Sequence, residues 1–222
     1  MMPFAGGLDS LPNGTLLLSV AAALLYLPVQ GRAPSLRRSV VKTTATALLA
    51  VLAFIEGGPF LLVAALALSA AGDFFLARDG ETAFLAGLAS FLAAHLAYVP
   101  LFLSVGGGME ILTWQLWRLG LVLLAAIGAA LLMRRLLAAV APQMRVPVAV
   151  YAAAILAMLL AAATVPSPVI LIGAILFVLS DSLLAIGRFL TPPDSPRQRP
   201  IGAAVWVLYY LAQAAIALGF LL

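Results

Sequence analysis

Eight long apolar segments dominate this chain, and a chain with that pattern folds as a bundle of membrane helices. Each segment is about twenty residues long, which is the length that a helix needs to cross the hydrocarbon core of a bilayer. We place the segments near residues 11–29, 38–55, 59–77, 82–104, 114–138, 146–164, 168–190 and 201–221. The predicted fold is therefore all-α, a polytopic bundle of eight transmembrane helices.

The composition excludes a water-soluble globule. Only 9% of the residues are charged and 65% are hydrophobic, whereas soluble domains carry about 25% charged residues. No loop is long enough to form a soluble domain, so we expect residues 1–222 to form a single integral membrane domain. The chain has no cysteine and one histidine, His95, which excludes disulfides, thiolate catalysis and sites with several histidines. We expect neither a metal nor a cofactor.

The positive charges predict how the helices run. Eleven of the twelve lysines and arginines lie at or beside the first, third, fifth and seventh breaks between segments, and only Arg118 lies on the other side. Basic residues concentrate in cytoplasmic loops, so both termini are predicted to be non-cytoplasmic. The same asymmetry explains the net charge of +4 without a nucleic-acid partner.

The Ala-, Leu- and Arg-rich composition favours a bacterial inner membrane. The first ten residues lack the basic region of a cleaved signal peptide, so we expect the first apolar segment to be retained.

Ionisable side chains inside the spans are the strongest functional signal, because a central aspartate costs about 2.5–3.5 kcal/mol on insertion scales. The candidates are Asp73, His95 and Tyr98, Ser180 and Asp181, Tyr209, Tyr210 and Gln213, with Lys42 at the cytoplasmic mouth of the second span. The helical rise places them at increasing depth from the cytoplasmic side. We therefore expect a slot that both aspartates face. The alternative for each aspartate is a hydrogen bond that only joins two helices.

Two segments of similar sequence indicate an internal repeat. Residues 73–77 and 181–185 both read D-x-x-L-A near corresponding helix ends. If the cytoplasmic loop after Asp181 is seven residues longer than the loop after Asp73, His95 aligns with Tyr210 and Tyr98 aligns with Gln213. This alignment indicates two parallel four-helix repeats, with halves 1–110 and 111–222.

The segments that hold these polar residues also resemble a known family. They read ALALSAAGDFFLA and FLAGLASFLAAHLAYVPLF, followed by GAILFVLSDSLLAIGRF and WVLYYLAQAAIALGF. In this order they resemble the lysoplasmalogenase family, also called YhhN-like membrane proteins. The G-D, H-x-x-Y, S-D and Tyr/Gln motifs of that family correspond to Gly72-Asp73, His95-x-x-Tyr98, Ser180-Asp181, and Tyr209, Tyr210 and Gln213. The family's early lysine is commonly followed by proline and resembles Lys42, which Thr43 follows here.

The resemblance implies a hydrolase that cleaves the vinyl-ether bond of a lysophospholipid into a fatty aldehyde and a glycerophospho-alcohol. Protonation of the β-carbon gives an oxocarbenium ion to which water adds, so the reaction needs an acid, a base and an anion. Two carboxyls in unlike surroundings divide such roles in glycoside hydrolases. We predict Asp181 as the general acid and Asp73 as the base and cation stabiliser, with the reverse assignment open. His95 positions water or relays a proton, and Lys42 meets the phosphate.

The remaining candidates, Tyr98, Ser180, Tyr209, Tyr210 and Gln213, are predicted to bind or orient the substrate. The main alternative function is a non-enzymatic lipid binder or a proton-coupled carrier, because membrane acids and a histidine also describe a proton relay. An intramembrane aspartyl protease fits less well, since its Tyr-Asp and Gly-x-Gly-Asp motifs are broken here. A purely structural membrane protein is the last alternative. The sequence leaves the oligomeric state open.

Overall fold

The computed structural model describes residues 2–222, and all regular structure in that range is helical. The helices are α1 (Leu11–Tyr26), α2 (Leu36–Ile55), α3 (Phe60–Leu76), α4 (Glu81–Val105), α5 (Glu110–Trp114), α6 (Leu116–Ala139), α7 (Pro142–Ala163), α8 (Pro168–Ala185) and α9 (Gln198–Leu221). A short 3-10 helix, Gly7–Asp9, precedes α1, and a π-helical turn, Ile186–Leu190, extends α8. The predicted all-α fold is confirmed.

Each predicted span coincides with a helix, but the helices differ in length. Over residues 2–222, six helices are long and apolar enough to cross a membrane. The apolar helices α1 and α3 are shorter, at 16 and 17 residues. These lengths fit a multi-pass membrane protein, while the count of eight spans and the orientation of the termini stay predictions.

The predicted fifth span differs from the structure at its beginning. The sequence placed its start at residue 114, whereas the structure ends α5 at Trp114 and begins α6 at Leu116. The break occurs at Gln115, whose φ of −119° and ψ of 68° are not helical. The Gln115 side chain accepts a hydrogen bond of 2.7 Å from Nε of Arg118, which holds this corner in place.

The helices form two compact units, each with its own core. Unit 1 comprises the described residues up to Leu101 together with Gln213–Leu222, and thus holds α1 to α3, most of α4 and the end of α9. Here α2 packs against both α1 and α3. The Ser19 hydroxyl of α1 donates a 2.6 Å hydrogen bond to the carbonyl of Ala45 in α2, so a polar contact joins these two helices.

Unit 2 comprises Phe102–Ala212, with α5 to α8 and the first part of α9. In this unit α7 packs against both α6 and α8. The Ser180 hydroxyl of α8 donates a 3.0 Å hydrogen bond to the carbonyl of Val205 in α9. The backbone N–H of Gly107 donates to the carbonyl of Thr164, which ties the segment after α4 to the end of α7.

Arg118, the one basic residue outside the predicted cytoplasmic clusters, stabilises the end of α7. The side chain is only 2% exposed. Its guanidinium donates to the carbonyls of Ala163, Val165 and Pro166 at 3.2, 2.6 and 3.2 Å. Carbonyls at a helix C-terminus have no partner within the helix and carry partial negative charge. Arg118 therefore departs from the charge pattern because unit 2 uses it as a helix cap.

The substitution Arg118→Met is expected to lower the free energy of unfolding by about 2–3 kcal/mol, because buried carbonyls lose their donors. Thermal unfolding in detergent measures the effect as a lower Tm. The matched control is Arg145→Met, at an exposed position of α7. Equal melting temperatures for the two variants would contradict the capping role.

Candidate functional site

The fully buried carboxylate of Asp73 is the centre of a polar cluster in unit 1. Asp73 lies in the last turn of α3 and is 0% exposed. Nζ of Lys42 on α2 lies 3.2 Å from Oδ1 of Asp73. The Thr46 hydroxyl, also on α2, donates a 2.8 Å hydrogen bond to Oδ2. Both carboxylate oxygens therefore have partners on α2, and we call Lys42, Thr46 and Asp73 the Asp73 cluster.

Lys42 contributes the positive charge of the Asp73 cluster. Its side chain is 13% exposed, and Nζ lies 5.9 Å from the centroid of the Tyr26 ring. An ion pair inside an apolar bundle compensates two charges that would be very costly to bury separately. The predicted contact of Lys42 with a substrate phosphate stays a prediction, since the described partner of its ammonium group is Asp73.

Glycine at position 72 allows α4 to approach α3 beside the carboxylate. A Cβ atom at Gly72 would lie 2.6 Å from the ring of Phe91, and one at Gly87 would lie 2.7 Å from Leu76. The two pairs run in opposite order, so α3 and α4 are antiparallel. His95 follows Phe91 by one helical turn and is 0% exposed. Because the two helices are antiparallel, His95 lies beside the part of α3 that precedes Asp73, about one helical turn away from it.

The substitution Gly72→Ala is expected to destabilise the protein by about 1–3 kcal/mol, because the new methyl group overlaps the buried ring of Phe91. The double variant Gly72→Ala/Phe91→Leu should recover part of the loss. Gly128→Ala is the matched control, since a Cβ there meets nothing within 4 Å. A Gly72→Ala variant with the Tm of the control would show that no close helix contact exists.

A second polar pair in unit 1 joins α4 to α9. The Tyr98 hydroxyl donates a 2.6 Å hydrogen bond to Oε1 of Gln213, and both side chains are 0% exposed. Nε2 of Gln213 and Oγ of Ser69 are buried and have no hydrogen-bond partner among residues 2–222. Buried polar atoms are normally hydrogen-bonded, so these two donors are candidates for binding water or a substrate oxygen.

Asp181 belongs to a different group, in unit 2. The Tyr151 hydroxyl of α7 donates a 2.6 Å hydrogen bond to Oδ2 of Asp181 on α8. Both residues line a cavity of about 70 Å³ whose other walls come from α6, α7 and α8. Asp181 is half-buried, unlike Asp73. The prediction that both aspartates face one shared cavity stays a prediction.

The other predicted residues of unit 2 make contacts between α8 and α9 or within α9. Ser180 bonds to the backbone of α9, as described above. The rings of Phe177 and Tyr209 meet edge to face, with centroids 5.6 Å apart. Tyr210 stacks on Trp206 at 6.1 Å. The structure thus gives Ser180, Tyr209 and Tyr210 packing partners, and their contact with substrate stays a prediction.

Sequence reasoning missed three residues that the structure places in these groups. Thr46 follows Lys42 by one turn, a spacing that puts both on one face of α2 and that was available in the sequence. Ser69 precedes Asp73 by the same interval. Tyr151 carries no such signal, because a single tyrosine in an apolar helix is most often a packing residue. Within residues 2–222, no three His, Cys, Asp or Glu side chains are grouped as metal ligands.

The polar residues of both units lie in a region that matches a known family. Residues 37–220 match the YhhN family. This chain belongs to the YhhN family. The predicted family membership is therefore confirmed, and the matched range includes Lys42, Asp73, Tyr151 and Asp181.

Two relatives of this YhhN protein are named lysoplasmalogenase, one from Mycobacterium bovis and one from Mycobacterium tuberculosis. Each is 32% identical to the chain over 162 residues, which are 72% of this chain and 59% of the relative. The YhhN chain thus spans 59% of the length of these curated relatives. No solved structure matches the chain significantly.

Proposed function

We propose that this YhhN protein is a membrane-embedded hydrolase that cleaves the vinyl-ether bond of lysoplasmalogen-type lysophospholipids. The products are a fatty aldehyde and a glycerophospho-alcohol. The observation that carries the proposal is the Asp73 cluster, a buried carboxylate with a lysine and a threonine as partners. A contact whose only task was to join α2 to α3 would cost less with uncharged side chains. The names of the two relatives supply the substrate class.

Asp73 is proposed as the general base and the anion that stabilises the oxocarbenium ion. Lys42 at 3.2 Å compensates its negative charge and so offsets part of the cost of burying the carboxylate. A carboxylate accepts a proton from water as the water adds to the carbon next to the ether oxygen. Thr46 holds Oδ2 at 2.8 Å and so restricts the rotation of the carboxylate.

Asp181 is proposed as the general acid that protonates the β-carbon. Its described partner is the neutral hydroxyl of Tyr151, and a hydroxyl can donate to a carboxylic acid as well as to a carboxylate. The difference between a lysine partner at Asp73 and a tyrosine partner at Asp181 supports this division of roles over the reverse one.

The remaining buried groups of unit 1 are proposed to handle water and the substrate oxygen. Tyr98 fixes the amide of Gln213 by bonding to Oε1, which directs Nε2 as a donor. His95 is proposed to position water or relay a proton. After water has added, the hemiacetal collapses, and its hydroxyl proton is lost as the leaving oxygen gains one. The reaction consumes one water and no cofactor.

The experiment that tests the reaction class uses purified protein in detergent with two lysophospholipids of equal chain length and head group. One carries a vinyl ether and the other an ester. We expect fatty aldehyde from the first and no fatty acid from the second. In D₂O the aldehyde, trapped at once by reduction, should carry deuterium on the carbon next to the carbonyl. Fatty acid from the ester would contradict the proposed reaction, and substrate-dependent proton flux in proteoliposomes without product would favour a carrier.

A further inference from the structure

The cavity beside Asp181 has walls that are almost entirely aliphatic. Leu132 of α6 and Ile155 of α7 contribute to these walls, and Ala129 and Ala152 line it from the same two helices. Ser182 also lines the cavity, but its hydroxyl donates to the carbonyl of Val178 within its own helix at 2.8 Å. The polar groups of Asp181 and Tyr151 therefore meet an otherwise apolar space.

The volume of this cavity matches a small apolar group. It measures about 70 Å³, several times the roughly 10–15 Å³ that a cavity needs to hold one water molecule. The cavity thus has room for a small group of a few atoms. The aliphatic walls offer no hydrogen bonds, and the polar groups at this cavity are those of Asp181 and Tyr151.

Tyr151 fixes the direction of the Asp181 carboxyl group relative to this cavity. The 2.6 Å hydrogen bond from Tyr151 reaches Oδ2 and not Oδ1. When Oδ2 accepts this bond, the proton of a neutral Asp181 is carried on Oδ1. Because the two residues lie on different helices, the hydrogen bond also fixes the position of α8 against α7 at this level.

We propose that this cavity binds the carbon–carbon double bond of the substrate, and that Tyr151 is the positioning residue that aims Asp181 at it. The inference rests on the proposed function and deepens it, because it assigns the place where the bond is protonated. Proton donation to carbon requires an acid beside an apolar group, and this cavity supplies both. The O–H bond of Asp181 breaks as the C–H bond forms at the β-carbon, and the π electrons of the double bond form the new C–H bond. The ether oxygen stabilises the resulting cation.

The first part of the test fills the cavity and follows binding without turnover. The probe is the saturated alkyl-ether lysophospholipid, which has nearly the same shape and no bond to cleave. Ala152→Leu is expected to weaken its binding about tenfold or more, since a misfit of a few carbon atoms in an apolar pocket costs that much. Ala153→Leu, at the exposed neighbouring position, is the matched control. If Ala152→Leu fails to fold, Ala129→Leu is the replacement variant, because it fills the same cavity from α6. Its matched control is Ala130→Leu, at an exposed position.

The second part removes only the Tyr151 hydroxyl. Tyr151→Phe is expected to lower kcat for the vinyl ether about tenfold, because one hydrogen bond to the acid is lost, while KM and the binding of the saturated probe stay unchanged. In an Asp181→Asn background the same substitution should cause no further loss of kcat. If Tyr151 had only a structural role, Tyr151→Phe would lower kcat by the same factor in the wild-type and the Asp181→Asn backgrounds.

The outcomes separate this inference from the proposed function. A wild-type protein that cleaves no vinyl ether overturns the proposed function, while selective weakening of the probe by Ala152→Leu would still support the cavity as a chain-binding site. Loss of turnover in Ala152→Leu with unchanged probe binding would overturn the cavity assignment. A Tyr151→Phe variant with wild-type kcat would overturn the positioning role.

Discussion

Replacement of Asp73 by asparagine is expected to reduce lysoplasmalogen turnover by about 10²–10⁴-fold and to lower the free energy of unfolding by about 3–5 kcal/mol. The first effect follows from the loss of the proposed base, because an amide accepts no proton from water at neutral pH. The second follows from the Lys42 ammonium, which would then face a neutral amide at 3.2 Å instead of a carboxylate. Aldehyde release measures the first effect, and thermal unfolding in detergent measures the second.

The double variant Asp73→Asn/Lys42→Met separates the two effects. Removal of both charges should restore most of the stability, since a buried ion pair is often replaced by uncharged groups at little cost, but it should not restore turnover. Asp79→Asn, in the exposed bend after α3, is the matched control and should behave as wild type. A stable and active Asp73→Asn variant would contradict both the ion pair and the catalytic role.

Asparagine at position 181 is expected to reduce turnover by a similar factor, about 10²–10⁴-fold, with a much smaller loss of stability. The amide oxygen of asparagine still accepts the hydrogen bond that the Tyr151 hydroxyl makes to Oδ2. The amide supplies no proton of suitable acidity, so protonation of the β-carbon should slow while the fold is kept. Rates of aldehyde release and melting temperatures, recorded side by side for the two asparagine variants, measure this contrast.

The contrast between the two aspartates is the decisive result. If Asp181→Asn kept near wild-type turnover, Asp181 would not be the acid. If the Asp181→Asn variant lost as much stability as Asp73→Asn, the hydrogen bond from Tyr151 would not be the main interaction that stabilises buried Asp181. Saturated alkyl-ether lysophospholipid should still bind to the variant, which shows that the loss lies in chemistry and not in substrate binding.

Hydropathy was sufficient to predict the helices, because crossing a bilayer requires long apolar segments and leaves few alternatives. The cost of burying charge was sufficient to single out Asp73 and Asp181. The same argument pointed to His95, which the structure buries fully. These conclusions depend on residue type and on position along a helix, and both can be read from the sequence.

The partners of those residues depend on how each helix is rotated about its axis, which an almost uniformly apolar helix does not encode. Beyond Gln143 and Arg145 in its first turn, helix α7 is apolar on all sides, so nothing in its pattern indicates that Tyr151 points to Asp181. The spacing of Thr46 from Lys42 could be read from the sequence, but its contact with Asp73 crosses from α2 to α3 and could not. The break at Gln115 depends on a hydrogen bond to Arg118 that hydropathy does not register.

The ion pair of Lys42 and Asp73 lies within a single helical hairpin, because only residues 56–59 separate α2 from α3. During biosynthesis this hairpin can enter the bilayer as one element whose two opposite charges already cancel. A charge inserted alone is costly, by up to about 2.5–3.5 kcal/mol at the centre of the membrane and by less near the helix ends where Lys42 and Asp73 lie. The ion pair therefore also lowers the cost of inserting this hairpin into the bilayer. We expect α2 and α3 to insert together rather than one after the other.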